Sequence, residues 1–188
     1  MSVVSLPERM RISADRYQKM VATGVLTKYD RVELIDGDMI NMAPIGPPHS
    51  AVVARLNRLF VLSLGDSGIV SPGGSIKLGD YSVPQPDLML LKPRADFYAA
   101  QIPTPRDVLL LVEVSDSSLA FDQGTKRALY ARHSVAEYWV VDIPGRRVHV
   151  YCEPTVDGYK EAFEHTLSDT VSPRALPVVQ VMVGTLFA

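Results

Sequence analysis

The chain has 188 residues, 47% of them hydrophobic and 21% charged, which excludes a disordered or fibrous protein and leaves enough length to bury a substantial core. Its 19 Lys and Arg against 21 Asp and Glu give a formal charge of -2, which excludes coating of nucleic acid or anionic membrane by bulk electrostatics, so any nucleic-acid contact must be local. A single cysteine, Cys152, excludes an internal disulfide framework and a thiolate metal site and suits a reducing cytoplasm, and four histidines without paired ligand spacing argue against zinc.

The opening MSVVSLPERMR lacks a charged start followed by an apolar stretch, and no uncharged apolar run approaches the roughly 20 residues of a membrane span. The expectation is a soluble cytoplasmic chain, forming one domain over residues 1–188. Ser13 can cap a short helix through about Thr23, with Gly24 as its stop. Arg31 to Met42 places apolar residues on both sides of Asp36-Gly37, a dipeptide suited to the positive φ of a two-residue hairpin turn. After Pro47, the residues Val52, Val53, Leu56, Leu59 and Phe60 recur at helical spacing, predicting a helix from about Pro48 to Leu64 that lies on a sheet.

Ile69 to Leu78 reads as a strand bent at Gly73-Gly74, and Gln85 to Leu91 as a further strand. Lys92 to Arg106 is too long for a tight hairpin and reads as a surface loop with a helical turn. Val108 to Val114 is a buried strand, followed by a helix from about Phe121 to Arg132. Glu137 to Asp142 and Arg147 to Tyr151 form a second hairpin about Pro144-Gly145. A polar strand near Tyr159 to His165 and a Pro-punctuated tail complete the chain. The fold class is therefore mixed α/β (α+β).

Glu113 is the anomaly, a carboxylate within the apolar run VLLLVEV. Left unpartnered there, it would cost several kcal/mol or stay protonated. Either a structural Lys or Arg, or backbone amides, or a divalent cation shared with another acid must compensate it. Asp87 begins one strand and Glu113 ends the next, so antiparallel neighbours would carry both acids to one sheet edge. Alternation gives Asp87, Met89 and Leu91 one face, shared with Leu109, Leu111 and Glu113. Two such carboxylates attract Mg²⁺ or Mn²⁺, with a retained water as nucleophile. Asp122, Lys126 and Tyr130 lie on one helical stripe. Asp122 and Lys126 can form an exposed ion pair, or Lys126 can reach back to the strand end and stabilise charge on a phosphate.

Pro86-Asp87, Glu113-Val114-Ser115, Asp122-x-x-x-Lys126-x-x-x-Tyr130 and Glu137-Tyr138-Trp139, with Val32-Glu33-Leu34-Ile35-Asp36-Gly37 before them, resemble the Uma2 family of the PD-(D/E)XK nuclease superfamily. The likeness runs from about Ser13 to the C-terminus. It implies a restriction-endonuclease-like core of helix, three strands, helix and strand, with an added N-terminal helix and hairpin and a C-terminal strand extension. It also implies a metal-dependent endonuclease acting on DNA, with Asp87, Glu113 and Lys126 catalytic. Ser115 departs from the superfamily, which has lysine two residues after the acid; the resemblance moves that lysine to the helix, at Lys126.

Glu33 is a third candidate metal ligand or else a solvent-facing strand residue. His49 is a candidate for contact with substrate phosphate or else has a capping or half-buried role, and Gln85 could orient a ligand or water. Arg127, Arg132, Arg146 and Arg147 form either a local phosphate-facing patch or a solvated surface. Tyr130 and Trp139 read as core. The apolar tail Val178 to Phe187 is either core or the interface of a homodimer. The rival function is a catalytically silent binding module on the same scaffold, consistent with the acidic charge and the missing strand lysine.

Overall fold

The computed structural model describes residues 9–27 and 29–188; the leader-free reading of the first residues lies largely outside them. Ser13 caps helix α1 (Ala14–Ala22) by accepting the Arg16 N–H at 3.2 Å. The predicted hairpin is β1 (Val32–Ile35) with β2 (Asp38–Asn41), turning through Asp36 at φ 51° and Gly37 at φ 85°. Helix α2 (Pro47–Leu64) opens on two prolines, whose missing N–H groups cost nothing in a first turn.

A six-stranded sheet forms the body, in the order β3 (Ile69–Pro72), β4 (Leu88–Leu91), β5 (Val108–Ser115), β6 (Glu137–Asp142), β7 (Arg147–Thr155) and β8 (Gly158–His165). All neighbours are antiparallel except β5 and β6, so the sheet is mixed. A parallel pair requires a crossover. Here it is supplied by α3 (Leu119–Phe121), a π-helical turn (Asp122–Lys126) and α4 (Arg127–Arg132). The order α2, β3, β4, β5, helical crossover, β6 is the helix, three strands, helix, strand core. Two further short strands, β9 (Thr170–Val171) and β10 (Val181–Met182), pair with each other.

Each face of the sheet is covered by a helix. Val52, Leu56, Phe60 and Leu64 of α2 pack with Leu88, Leu90, Leu110, Val112 and Trp139. On the other face Leu129 and Tyr130 of α4 pack with Met89, Leu91, Leu111, Tyr138 and Val140. The tail joins the first core through Val179, Val181, Val183 and Leu186, all buried. Packing this side of the tail into the chain's own core leaves only residues such as Val178 and Met182 outward, so the apolar pattern reflects core. Among the described residues, no helix is long and apolar enough to cross a membrane.

Three expectations need correction. The strand from Ile69 leaves the sheet at Pro72, because Gly73 adopts φ 60°, and Leu78 makes only an isolated bridge to Ser82. Regular pairing of the next strand starts at Leu88, so Gln85 and Asp87 precede it. A register shift between Leu90 and Leu91 pairs Leu91 with Val108, so Val108, not Leu109, joins the face of Leu111. An unbroken apolar run gives no hint of such a bulge, because every residue in it suits either face.

Candidate active site

Strand β5 runs Leu111, Val112, Glu113, Val114, so alternation sends Glu113 toward α4, away from the core that holds its two neighbours. Leu88 pairs with Val112, and continuing this antiparallel register one residue brings Asp87 opposite Glu113. The Asp87 carboxylate closes the pairing where the strand has stopped: its Oδ2 accepts the Val114 N–H at 2.8 Å. Asp87 and Glu113 both line a cavity of about 340 Å³ at this sheet edge, together with Glu33, His49, Asp122 and Lys126.

Lys126 comes from the π turn. It is only 5% exposed, and its Nζ donates to Glu113 Oε1 at 2.9 Å and lies 3.2 Å from Glu33 Oε1. Tyr130, one turn further, donates its hydroxyl to the same Glu113 oxygen at 2.8 Å. The expected exposed pair between Asp122 and Lys126 does not form. Both residues are buried with separate partners, Asp122 Oδ2 accepting from Ser115 Oγ at 2.7 Å and from Ser118 Oγ at 2.5 Å. Tyr138 donates its hydroxyl to the Asp122 carbonyl at 3.1 Å, serving a backbone group in the wide turn. Such π turns recur at functional sites because they re-aim side chains within a helix.

Glu33 is buried, not solvent-facing. Its Oε2 accepts the Gln85 N–H at 3.1 Å while Oε1 faces Lys126. The hairpin that carries it is pinned from two sides. Asp36 pairs with Arg132 at the end of α4, and its N–H donates to Ser82 Oγ at 2.9 Å. His49, in the first turn of α2, sets Nε2 3.0 Å from Asp87 Oδ1, while its Nδ1 is buried without a hydrogen bond. Gln85 contributes its backbone N–H; its side-chain amide turns away to the Gly73 carbonyl at 2.6 Å.

The charges follow from this packing. Burial pushes the Glu113 carboxyl well above the carboxylate range; Lys126 opposes the rise, and Asp122, Asp87 and Glu33 add to it. Burial disfavours the Lys126 ammonium, but Glu113 and Glu33 outweigh it and hold the lysine above its ordinary value. The two shifts describe one coupled group, with the ammonium held between two acids and supporting the charge on Glu113 against desolvation. The bond to Asp87 raises His49, against its burial.

Acids outnumber cations in the cavity, and their donors are oxygens, the chemistry of a hard cation. Among the described residues no group of three or more His, Cys, Asp or Glu side chains is arranged to hold a metal. The fit is instead to an ion carried by two carboxylates with water completing its shell, as Mg²⁺ accepts. Asp87 and Glu113 could supply these two, since both hydrogen bonds to Glu113 fall on Oε1, and the Asp87 oxygens, facing the Val114 N–H and His49, each keep a further lone pair.

A family profile described as Uma2, "Putative restriction endonuclease", matches residues 15–184. The chain belongs to the Uma2 family. A similar solved structure, from Anabaena variabilis, is described as "a putative nuclease belonging to DUF820". It aligns at a TM-score of 0.73 with 17% identity, covering 94% of this chain and 97% of that one. At that identity the likeness establishes the fold of this Uma2 chain. No curated protein sequence matches it at a significant level.

Sequence reasoning found Asp87, Glu113, Lys126 and Glu33, and the structure brings all four together. It missed Tyr130 as the second donor to Glu113 and Ser115 and Ser118 as the partners of Asp122. The stripe from Lys126 to Tyr130 was the signal for the tyrosine. Ser115 stands out in the sequence only as the residue in place of a strand lysine, and nothing marks Ser118.

Proposed function

We propose that this chain is an endonuclease of the PD-(D/E)XK type that hydrolyses phosphodiester bonds in DNA, with Mg²⁺ or Mn²⁺ held by Asp87 and Glu113. The observation that carries this reading is the convergence, at one sheet edge, of two carboxylates from adjacent strands with a helix-borne ammonium 2.9 Å from one of them. When bound, the cation would polarise a phosphoryl oxygen and lower the pKa of water. Lys126 stabilises charge growing on the phosphate as water attacks, the part a fixed ammonium plays. Ser115, where a strand lysine would stand, instead orients Asp122.

Glu33 is assigned to positioning. Its Oε1 lies 3.2 Å from Lys126 Nζ and its Oε2 accepts the Gln85 N–H, so it fixes the ammonium beside Glu113. His49 orients Asp87 through its Nε2, leaving the other Asp87 oxygen on the Val114 amide. DNA as substrate is supported by the family description as a restriction endonuclease.

The test is cleavage of supercoiled plasmid with Mn²⁺, comparing the parent with Asp87→Asn and Glu113→Gln. Each variant should lose at least about a hundredfold in rate. Variants that cut as the parent does would remove Asp87 and Glu113 from the chemistry, and a parent that does not cut would leave a silent binding module on the nuclease scaffold.

A further inference from the structure

A larger hollow opens off the candidate active site. The cavity beside the acids, about 340 Å³, shares Arg31, Met42, Ile45, Gln85 and Asp87 with a neighbour of about 980 Å³. The two form one groove. It continues along α1, past Val21 and Ala22, to Gln18 and Ile102, which it shares with a third hollow lined by Tyr98 and Gln101. A path of this kind suits an extended chain better than a compact ligand.

Its lining has two chemical zones. The middle is apolar, with Val21, Leu26, Met42, Ile45 and Ile102 as walls, and Val21 and Ile45 are about half exposed there at 51% and 52%. At the junction with the acidic cavity stands Arg31, exposed and with no ion-pair partner among the described residues. The nearby acid Asp30 is occupied, accepting the Thr27 N–H and hydroxyl at 2.8 Å each. A cation at the mouth and an apolar wall beyond match a phosphate followed by exposed bases.

We infer that this groove holds an unpaired stretch of DNA strand, with a backbone phosphate on Arg31 and the adjoining nucleobases against the apolar wall. The inference rests on the nuclease reading for where the scissile phosphate lies. A base inside a duplex has both faces stacked and cannot enter such a groove. Duplex binding draws on many phosphate contacts, which a chain of net charge -2 does not offer broadly. Single-strand sites pair cations for the backbone with platforms for the base faces, the parts that Arg31 and the apolar wall supply here.

The experiment is fluorescence anisotropy in EDTA, with labelled oligothymidine and a duplex of equal length, for the parent, Arg31→Ala, Val21→Glu and the control Val61→Glu. Val61 is 53% exposed on α2, across the sheet from the site. The parent should bind the single strand at least about tenfold tighter than the duplex, the scale of one stacked base. Arg31→Ala should reduce the slope of log affinity against log salt by about 0.7, one phosphate contact. Val21→Glu should weaken single-strand binding about tenfold, and Val61→Glu should leave it unchanged. Thermal melting checks each fold, and the Arg31 salt slope decides the matter alone if Val21→Glu fails to fold. Equal binding of duplex and single strand, or an unchanged slope in Arg31→Ala, overturns the inference. Because EDTA removes metal, binding without any Mn²⁺-dependent cleavage would sink the nuclease reading and leave the groove, whereas cleavage of duplex with no strand preference would do the reverse.

Discussion

Replacing Lys126 with Met should destabilise the fold far more than replacing Glu113 with Gln, although the two side chains bond each other at 2.9 Å. Loss of the ammonium leaves Glu113 and Glu33, each only 3% exposed, facing one another without their shared cation. Breaking a buried pair in this way costs about 3–5 kcal/mol. The lower end applies if Glu113, already pushed upward by burial, takes a proton. At this chain length the cost corresponds to a fall in Tm of roughly 6 to 20 °C. Glu113→Gln leaves Lys126 with Glu33 at 3.2 Å, lets the amide oxygen keep the Tyr130 hydroxyl, and relieves repulsion from Asp122 and Asp87. Its cost should stay within about 1 kcal/mol. Thermal and urea unfolding in metal-free buffer measure both. Equal losses in the two variants, or a Lys126→Met cost below about 0.5 kcal/mol, would refute the account of Lys126 as the cation on which two buried acids depend.

Two further outcomes follow from the packing. Gly37→Ala should destabilise by at least about 1 kcal/mol in urea unfolding, since the position has φ 85° and an added Cβ would lie 2.7 Å from Arg11 Cβ; an unchanged midpoint would mean that the turn relaxes freely. Cys152 is 1% exposed and its thiol is pushed up to about 11, chiefly by burial, so a thiol reagent at neutral pH should label it only in denaturant, with rapid labelling of the native protein contradicting the core assignment.

The placing of Asp87 and Glu113 was legible because it follows from the strand period. Alternation in VLLLVEV put Glu113 opposite its apolar neighbours, and the antiparallel offset brought Asp87 to it. The start of the helix a few residues after Glu113 let Lys126 reach back to the strand end. What stayed hidden depends on contacts between elements distant in sequence. Glu33 reaches Lys126 because its hairpin is docked by bonds to distant residues, Asp36 pairing with Arg132, 96 residues away, and Leu34 with Val83, and such docking leaves no local pattern. The separate fates of Asp122 and Lys126 depend on a π turn whose wide geometry rests on Ser115, Ser118 and Tyr138. Read with α-helical spacing, the same two residues look like a surface pair worth a few tenths of a kcal/mol.

The central claim, that Asp87 and Glu113 share one cation beside Lys126, is tested most directly by Mn²⁺ titration followed by electron paramagnetic resonance of the free ion. The parent should bind one ion per chain in this site, and Asp87→Asn and Glu113→Gln should each lose it. A folded Lys126→Met should bind Mn²⁺ at least as tightly as the parent, because the ammonium competes for Glu113 and is no ligand. Undiminished binding in both carboxylate variants would contradict the assignment.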